Sequence, residues 1–436
     1  MKHVMRITLM AIIILMLAMS AACAPKQAPN ANQGSEAPGQ SGGHVQQPEN
    51  GANLQESGNN NNHGQEKDSV RDMLKQLSTA EKIGQLVMVG VEGTVPDDTA
   101  RQFIESYYVG GFIFYKNNIS DTKQAVAFIN ELKKMNAHHK VPLLLSVDEE
   151  GGRVSRMPEQ FQALPAAQTI GASGSAELAS GLGAVIGKEL AGFGLNMDFA
   201  PVLDINSNPD NPVIGSRSFG NDAKVVSEMG IAMLQGIKQE GVIPVVKHFP
   251  GHGDTSVDSH LGLPVVEHDM ERLRKLELVP FAKAIEEGAD VVMVAHLLMP
   301  KLDAEQPASF SKAVIQDVLR DELGFEGVVV TDDMTMGAIV KHYDIGEAAV
   351  KFIQGGGNIV LVGHEKDRQL AVIDALTAAV NSGEITSDML DERVHSILQL
   401  KEKYALRDEP AAGPDIKAIN QEIESILSKH KIKQAK

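Results

Sequence analysis

From residue 85 onward, apolar runs of five to eight residues alternate with longer amphipathic stretches, and no other feature so restricts what this chain can fold into. The runs occupy 85–90, 110–115, 142–147, 196–203, 243–247, 290–296, 327–331 and 358–363. Apolar residues recur at helical spacing between them, near 97–107, 121–138, 175–193, 222–240, 269–287, 311–323 and 336–354, and again near 366–381. Strands this uniformly apolar are buried on both faces, which requires a parallel sheet covered by helices. Eight such units predict an α/β fold, a (β/α)8 TIM-type barrel forming a single catalytic domain. The alternative is an open doubly wound sheet. No Gly-x-Gly-x-x-Gly follows the first run, so a dinucleotide-binding fold gains no support.

Composition agrees with a large, loop-rich α/β core: of 436 residues 43% are hydrophobic and only 4% aromatic, with 40 Gly and no Trp. A net charge of −17 argues against nucleic acid or an anionic membrane surface as the main partner. The first residues look like a targeting segment. Lys2 and Arg6 precede an apolar run over 7–22, too short for a transmembrane helix, which predicts an export signal over 1–22. Cys23 is the only cysteine, and its place after Ser20-Ala21-Ala22 resembles the lipobox of bacterial lipoproteins. That resemblance implies a lipid-modified Cys23 holding the protein to a membrane, although Ser20 stands where Leu is usual; ordinary cleavage after Ala22 or Ala24 is the other reading. Residues 23–67 are Pro, Gln, Asn, Gly and Ser with few aliphatic side chains, and predict a disordered tether. The barrel is then expected over 68–405 and a docked helix with a basic tail over 406–436, with Ile416, Ile419, Ile423, Ile426 and Leu427 at helical spacing. No second domain is expected after it.

One loop invites a chemical explanation. Residues 247–260 contain His248, His252, His260, Asp254 and Asp258 among Gly and Pro breakers, directly after the fifth run. These are the residue types of a divalent metal site, but no His pair has the spacing of one helical turn. Acid/base chemistry is the other reading: residues i and i+2 of an extended loop point the same way, so Asp258 can orient and charge His260. A barrel places reactive groups where strands run into their following loops. Asp148-Glu149-Glu150, Asp204, Lys247-His248, His296 and Asp332-Asp333 all fall there.

Several separated stretches together resemble glycoside hydrolase family 3, within it the β-N-acetylglucosaminidases: Asp148 to Arg156, Gly215 to Gly220, Lys247 to His260, and Val330 to Met334. The resemblance covers residues 74–404. It implies Asp332 as nucleophile, His260 as general acid/base supported by Asp258, and Asp148, Arg156, Arg217, Lys247 and His248 as the residues holding the non-reducing sugar. It implies no metal and no organic cofactor. Lys247 and the two arginines are expected to keep Asp332 ionised; without the resemblance, Glu150 or Asp333 would be candidates for the acid. Glu149 stands where the family commonly has Gln, an extra charge beside Asp148. The lack of a second domain favours the glucosaminidase branch. The expected protein is an exported, lipid-anchored, exo-acting retaining β-N-acetylglucosaminidase that acts on GlcNAc-containing cell-wall muropeptides or chitooligosaccharides. A β-glucosidase, a glycoside phosphorylase and a noncatalytic sugar-binding lipoprotein are the alternatives. Oligomeric state is not read from the sequence.

Overall fold

A computed structural model describes residues 62–433. The expected export signal, Cys23 and the tether up to residue 61 lie outside the described residues, as do the last three residues of the tail.

Eight short parallel strands form one sheet: β1 (Val87–Gly90), β2 (Gly111–Ile113), β3 (Leu144–Val147), β4 (Met197–Asp198), β5 (Ile243–Phe249), β6 (Val291–Val294), β7 (Val328–Thr331) and β8 (Val360–Val362). Neighbours in sequence are neighbours in space, with Met88 opposite Gly111, Phe112 opposite Leu145, Asp198 opposite Pro244 and Val292 opposite Val329. The ends meet. β1 pairs with β8, and β7 joins β8 through a Val330–Ile359 bridge and a 2.9 Å bond from the Leu361 N–H to the Thr331 hydroxyl. Every strand residue is buried, which is why each run is apolar at consecutive rather than alternate positions.

All eight expected strands are present, but several boundaries move for identifiable reasons. The run expected at 196–203 keeps a regular ladder only at Met197–Asp198, because Pro201 has no N–H to continue it. Beyond it, Leu203 donates to the Lys247 carbonyl at 2.6 Å and keeps the segment against β5. The single helix expected over 269–287 is two, Met270–Lys275 and Leu278–Glu286, since Pro280 cannot donate back to Leu276. The one expected over 336–354 is also two, Gly337–Val340 and Ile345–Gln354, the second capped by Asp344, whose carboxylate accepts the Glu347 N–H at 2.9 Å. Among the described residues, two helices precede β1. The first, Asn62–Gln76, begins within the segment expected to be tether; the second, Thr79–Gln85, starts with a reciprocal Ser78–Glu81 capping box and takes Gln85 out of the first strand. A helix at Ser387–Lys403, with Leu390, Val394, Ile397 and Leu398 buried, is also additional.

The outer layer is tightest where Ala176–Phe193 meets Ala223–Gln239. Glycines let these backbones touch: a Cβ on Gly183 would lie 2.4 Å from the Met233 carbonyl oxygen, and one on Gly236 2.2 Å from that of Ser180. The terminal helix Ile416–Lys429 buries Ile419, Ile423 and Leu427 against the first of this pair. Gly236→Ala should therefore overpack the helix interface and cost about 1–3 kcal/mol. Thermal unfolding would show this as a lower midpoint with catalytic rate at 25 °C unchanged; an unaltered midpoint would contradict the close approach.

Candidate active site

A cavity of about 330 Å³ opens where the strands run into their following loops. It is lined by Asp148, Arg156, Arg217, Lys247, His248, His260 and Asp332, so seven of the eight residues singled out for catalysis or sugar binding share one space. Asp258, the eighth, reaches it through His260.

The closed side of the cavity is an ionic cluster. Lys247, at the end of β5 and only 1% exposed, places its ammonium 2.6 Å from Asp148 and 2.7 Å from Glu150. Burial would discharge the lysine, but the two carboxylates outweigh it and keep its pKa above the ordinary value. Arg217 grips Glu150 through two bonds of 2.7 and 2.8 Å, and its Nη2 lies 3.3 Å from His248 Nε2. Burial pushes the Glu150 pKa up, yet Arg217 and Lys247 overcome this and hold the carboxylate well below its usual range. A permanently ionised Glu150 is unsuited to be the proton donor. His248 Nδ1 bonds the buried Asp204 at 2.6 Å, and the other Asp204 oxygen accepts the His252 N–H at 2.6 Å. Arg156 lies 3.5 Å from Asp148. It is brought there by a turn at Gly151 and Gly152, whose φ values of +76° and +56° suit only glycine well.

Asp332 is the first residue beyond β7, with its Oδ1 accepting the Asp333 N–H at 2.8 Å. Burial pushes its pKa up, but His296, His248, the Asp333 N–H and Lys247 together draw it below the ordinary value. The arginines expected to do this are instead engaged with Asp148 and Glu150. On the outer side, Asp258 Oδ1 accepts both the His260 N–H at 2.8 Å and a bond from His260 Nδ1 at 2.9 Å, as i and i+2 spacing predicts. Burial of Asp258 is outweighed by these two bonds, so its pKa falls. The His260 side chain is 65% exposed. Its loop is docked on the loop of Asp332: Ala338 donates to the Ser259 carbonyl at 3.0 Å, and Lys341 reaches the Leu261 carbonyl at 2.7 Å. The remaining metal-type residues of the loop have separate protein partners, His252 with Thr255 and Ser259, and Asp254 with His268.

With this geometry in place, comparison with known proteins is decisive about descent. Residues 78–400 match the glycosyl hydrolase family 3 N-terminal domain. This chain belongs to glycosyl hydrolase family 3. It is 34% identical over 334 residues to β-hexosaminidase A of Pseudoalteromonas piscicida, covering 71% of this chain but only 56% of that relative. It is 33% identical over 326 residues to a β-hexosaminidase of Nitrosomonas eutropha, covering 72% and 92% of the two chains. Among solved structures, a family 3 β-N-acetylglucosaminidase from Paenibacillus sp. FPU-7 superposes with a TM-score of 0.77 at 43% identity, covering 81% of this chain and 69% of that one. The protein is a glycoside hydrolase.

Two further features of the site stand outside the residues expected from the sequence. Sequence reasoning named no polar residue after β2 or β8, yet Tyr115 and His364 stand there and line the cavity. The strand-end rule applied to all eight strands would have found them. Glu149, the departure noted in the sequence, does not enter the cavity. Its carboxylate accepts the N–H of Arg156 at 2.7 Å and of Met157 at 3.4 Å, while its own N–H donates to Asp198 at 2.9 Å. Its added charge therefore bears on the core. Burial drives the Glu149 pKa up to about 7 despite those bonds, and burial likewise raises Asp198 and Glu189.

The consequence is a pH-dependent fold. With a folded-state pKa of about 7 against an ordinary 4.5, Glu149 keeps its proton in the folded protein where the unfolded chain has lost it. Its contribution is fully present below about 4.5, declines as pH rises through 7, and stays lost above. Glu149→Gln keeps an acceptor for Arg156 without the charge. The stability of the variant should be similar to wild type at pH 5 and greater at pH 8, by on the order of 3 kcal/mol at most, seen as a higher unfolding midpoint. Equal midpoints at both values would show that Glu149 is not protonated by its surroundings.

Proposed function

We propose that the protein is an exo-acting, retaining β-N-acetylglucosaminidase that removes terminal GlcNAc from muropeptides or chitooligosaccharides. The observation that carries this reading is the pairing, in one cavity, of the half-buried Asp332 carboxylate, its pKa drawn below the ordinary value, with the exposed His260–Asp258 dyad. A retaining glycosidase needs an anionic nucleophile and a separate group that first gives and then takes a proton. The names of the hexosaminidase relatives support the sugar, and the cavity's closed ionic side suits an end sugar rather than the middle of a chain.

In this mechanism Asp148, Arg156, Lys247, Arg217 and His248 hold the hydroxyls of the non-reducing sugar. Asp332 attacks the anomeric carbon, and the glycosidic C–O bond breaks as His260 passes its proton to the departing oxygen. Asp258 fixes Nδ1, leaving Nε2 as the transferring atom. Water then attacks the glycosyl-enzyme, His260 takes its proton, and Asp332 leaves as the carboxylate. The ionic cluster is paired before substrate arrives, so little reorganisation is required. The expected export signal over 1–22 and the lipobox-like setting of Cys23 support a place on the outer face of the cell membrane, where wall fragments are the available glycans.

Asp332→Ala should lower turnover by about 10⁴-fold or more with an unchanged circular dichroism spectrum. A 2-fluoro sugar should label Asp332 covalently in the wild-type enzyme; a label on Asp333 or Glu150 would sink the assignment. His260→Ala should lose about 10² to 10⁴ in rate on a natural disaccharide and far less on a dinitrophenyl glycoside, whose leaving group needs no proton. On the latter, glycosyl-enzyme should accumulate and azide should relieve it; equal losses on both substrates would assign His260 a structural role. Product analysis distinguishes hydrolysis, which releases free sugar, from phosphorolysis. For location, Cys23→Ser should move the protein from the membrane to the soluble fraction with activity on a small substrate retained; unchanged fractionation would rule out the lipid anchor.

A further inference from the structure

The cavity wall away from the ionic cluster is built around Tyr115 after β2, Asp333 after β7 and His364 after β8. Asp333 is held from every side. Its Oδ1 accepts the N–H of Thr335 at 2.9 Å, the Thr335 hydroxyl at 2.7 Å and the N–H of Gly363 at 2.9 Å, while Oδ2 accepts the Tyr115 hydroxyl at 2.9 Å. The phenol hydrogen is thereby committed to Asp333, and Tyr115 offers substrate a flat ring rather than a donor. His364 stacks on that ring, with centroids 4.4 Å apart and planes 29° from parallel. The approach requires glycine at 363: a Cβ there would lie 1.9 Å from the Tyr115 hydroxyl oxygen and 2.3 Å from Asp333 Oδ2. His364 Nε2 lies 3.9 Å from Asp333 Oδ2, so the same carboxylate stands beside both rings.

The charges of the cavity are arranged unevenly. Lys247 and Glu150 are almost wholly buried, whereas the His260 side chain is 65% exposed and that of His364 48% exposed. A glycan entering with its terminal sugar against the ionic cluster leaves its next residue toward the exposed imidazoles. We propose that His364, supported from behind by Tyr115, forms the subsite for the leaving-group sugar and sets the preference for saccharide leaving groups. This deepens the hexosaminidase reading and rests on it. An imidazole combines an apolar face, which packs on the C–H face of a pyranose, with a polar edge for a hydroxyl. Because Tyr115, Asp333 and Gly363 already fix the ring, little freedom is lost when a sugar packs against it.

The test compares N,N′-diacetylchitobiose with N-acetyl-β-glucosaminyl fluoride, whose leaving atom cannot occupy a sugar subsite. His364→Ala should reduce kcat/KM on the disaccharide about tenfold or more, with the fluoride within about twofold of wild type. Tyr115→Phe retains the stack and should leave the ratio of the two substrates near wild type; Tyr115→Ala should lower that ratio as His364→Ala does. Equal losses on both substrates would show that these rings act only through Asp333 on the nucleophile, and would overturn the proposal. Wild-type enzyme that turns over neither substrate would overturn the hexosaminidase reading and the proposal together.

Discussion

Lys247 is an ammonium with its side chain 1% exposed, and a charge removed from water so completely costs several kcal/mol unless it is paired. Its partners, Asp148 and Glu150, arrive from the loop after β3, and Glu150 in turn requires Arg217 from the loop after β4. The sequence of dependence continues through His248 to Asp204 and the backbone of His252. Lys247, Glu150 and Asp204 each hold two partners, so losing one member weakens the pairing of a buried neighbour and disturbs the whole constellation. That is a poor way to gain stability and a good way to hold five polar groups in one arrangement before a ligand arrives.

The two halves of the site obey different physics. The ionic half is largely buried, with Lys247 and Glu150 held charged by each other; the half proposed to handle the proton is an exposed loop whose His260 is oriented by one local carboxylate. Such separation fits the two-step displacement we propose, in which the nucleophile must remain an anion while the proton donor must exchange with water and substrate. The contacts from Ala338 and Lys341 to the backbone of Ser259 and Leu261 connect the halves, so the loop of His260 is referenced to the segment that follows Asp332.

Glu149 and Glu150 show how neighbouring carboxylates acquire opposite characters. Glu150 faces two cations and is locked as an anion, whereas Glu149 faces the core, near Asp198 and Glu189, and retains its proton up to about pH 7. The same residue type, one position apart, thus serves the cavity in one case and the loop that carries Arg156 in the other.

Much of the fold was legible because it rests on local rules. Strands buried on both faces must be apolar at every position, so eight runs announced eight strands; strand ends marked Asp148, Lys247, His248 and Asp332; and an i, i+2 spacing was enough to pair Asp258 with His260. Helix interruptions at Pro280 and before Asp344 were less legible, because a periodic pattern continues across a break that a missing N–H or a cap imposes. The sequence by itself therefore determined the repeat, its ends and the local dyad. Only the tertiary structure decided which of Glu149 and Glu150 pairs with Lys247 and Arg217 behind the cavity, and that Tyr115, Asp333 and His364 form one wall, with Tyr115 and Asp333 218 residues apart. That wall depends on the β8–β1 pairing that closes the barrel, a long-range event that brings distant strand ends to a common rim.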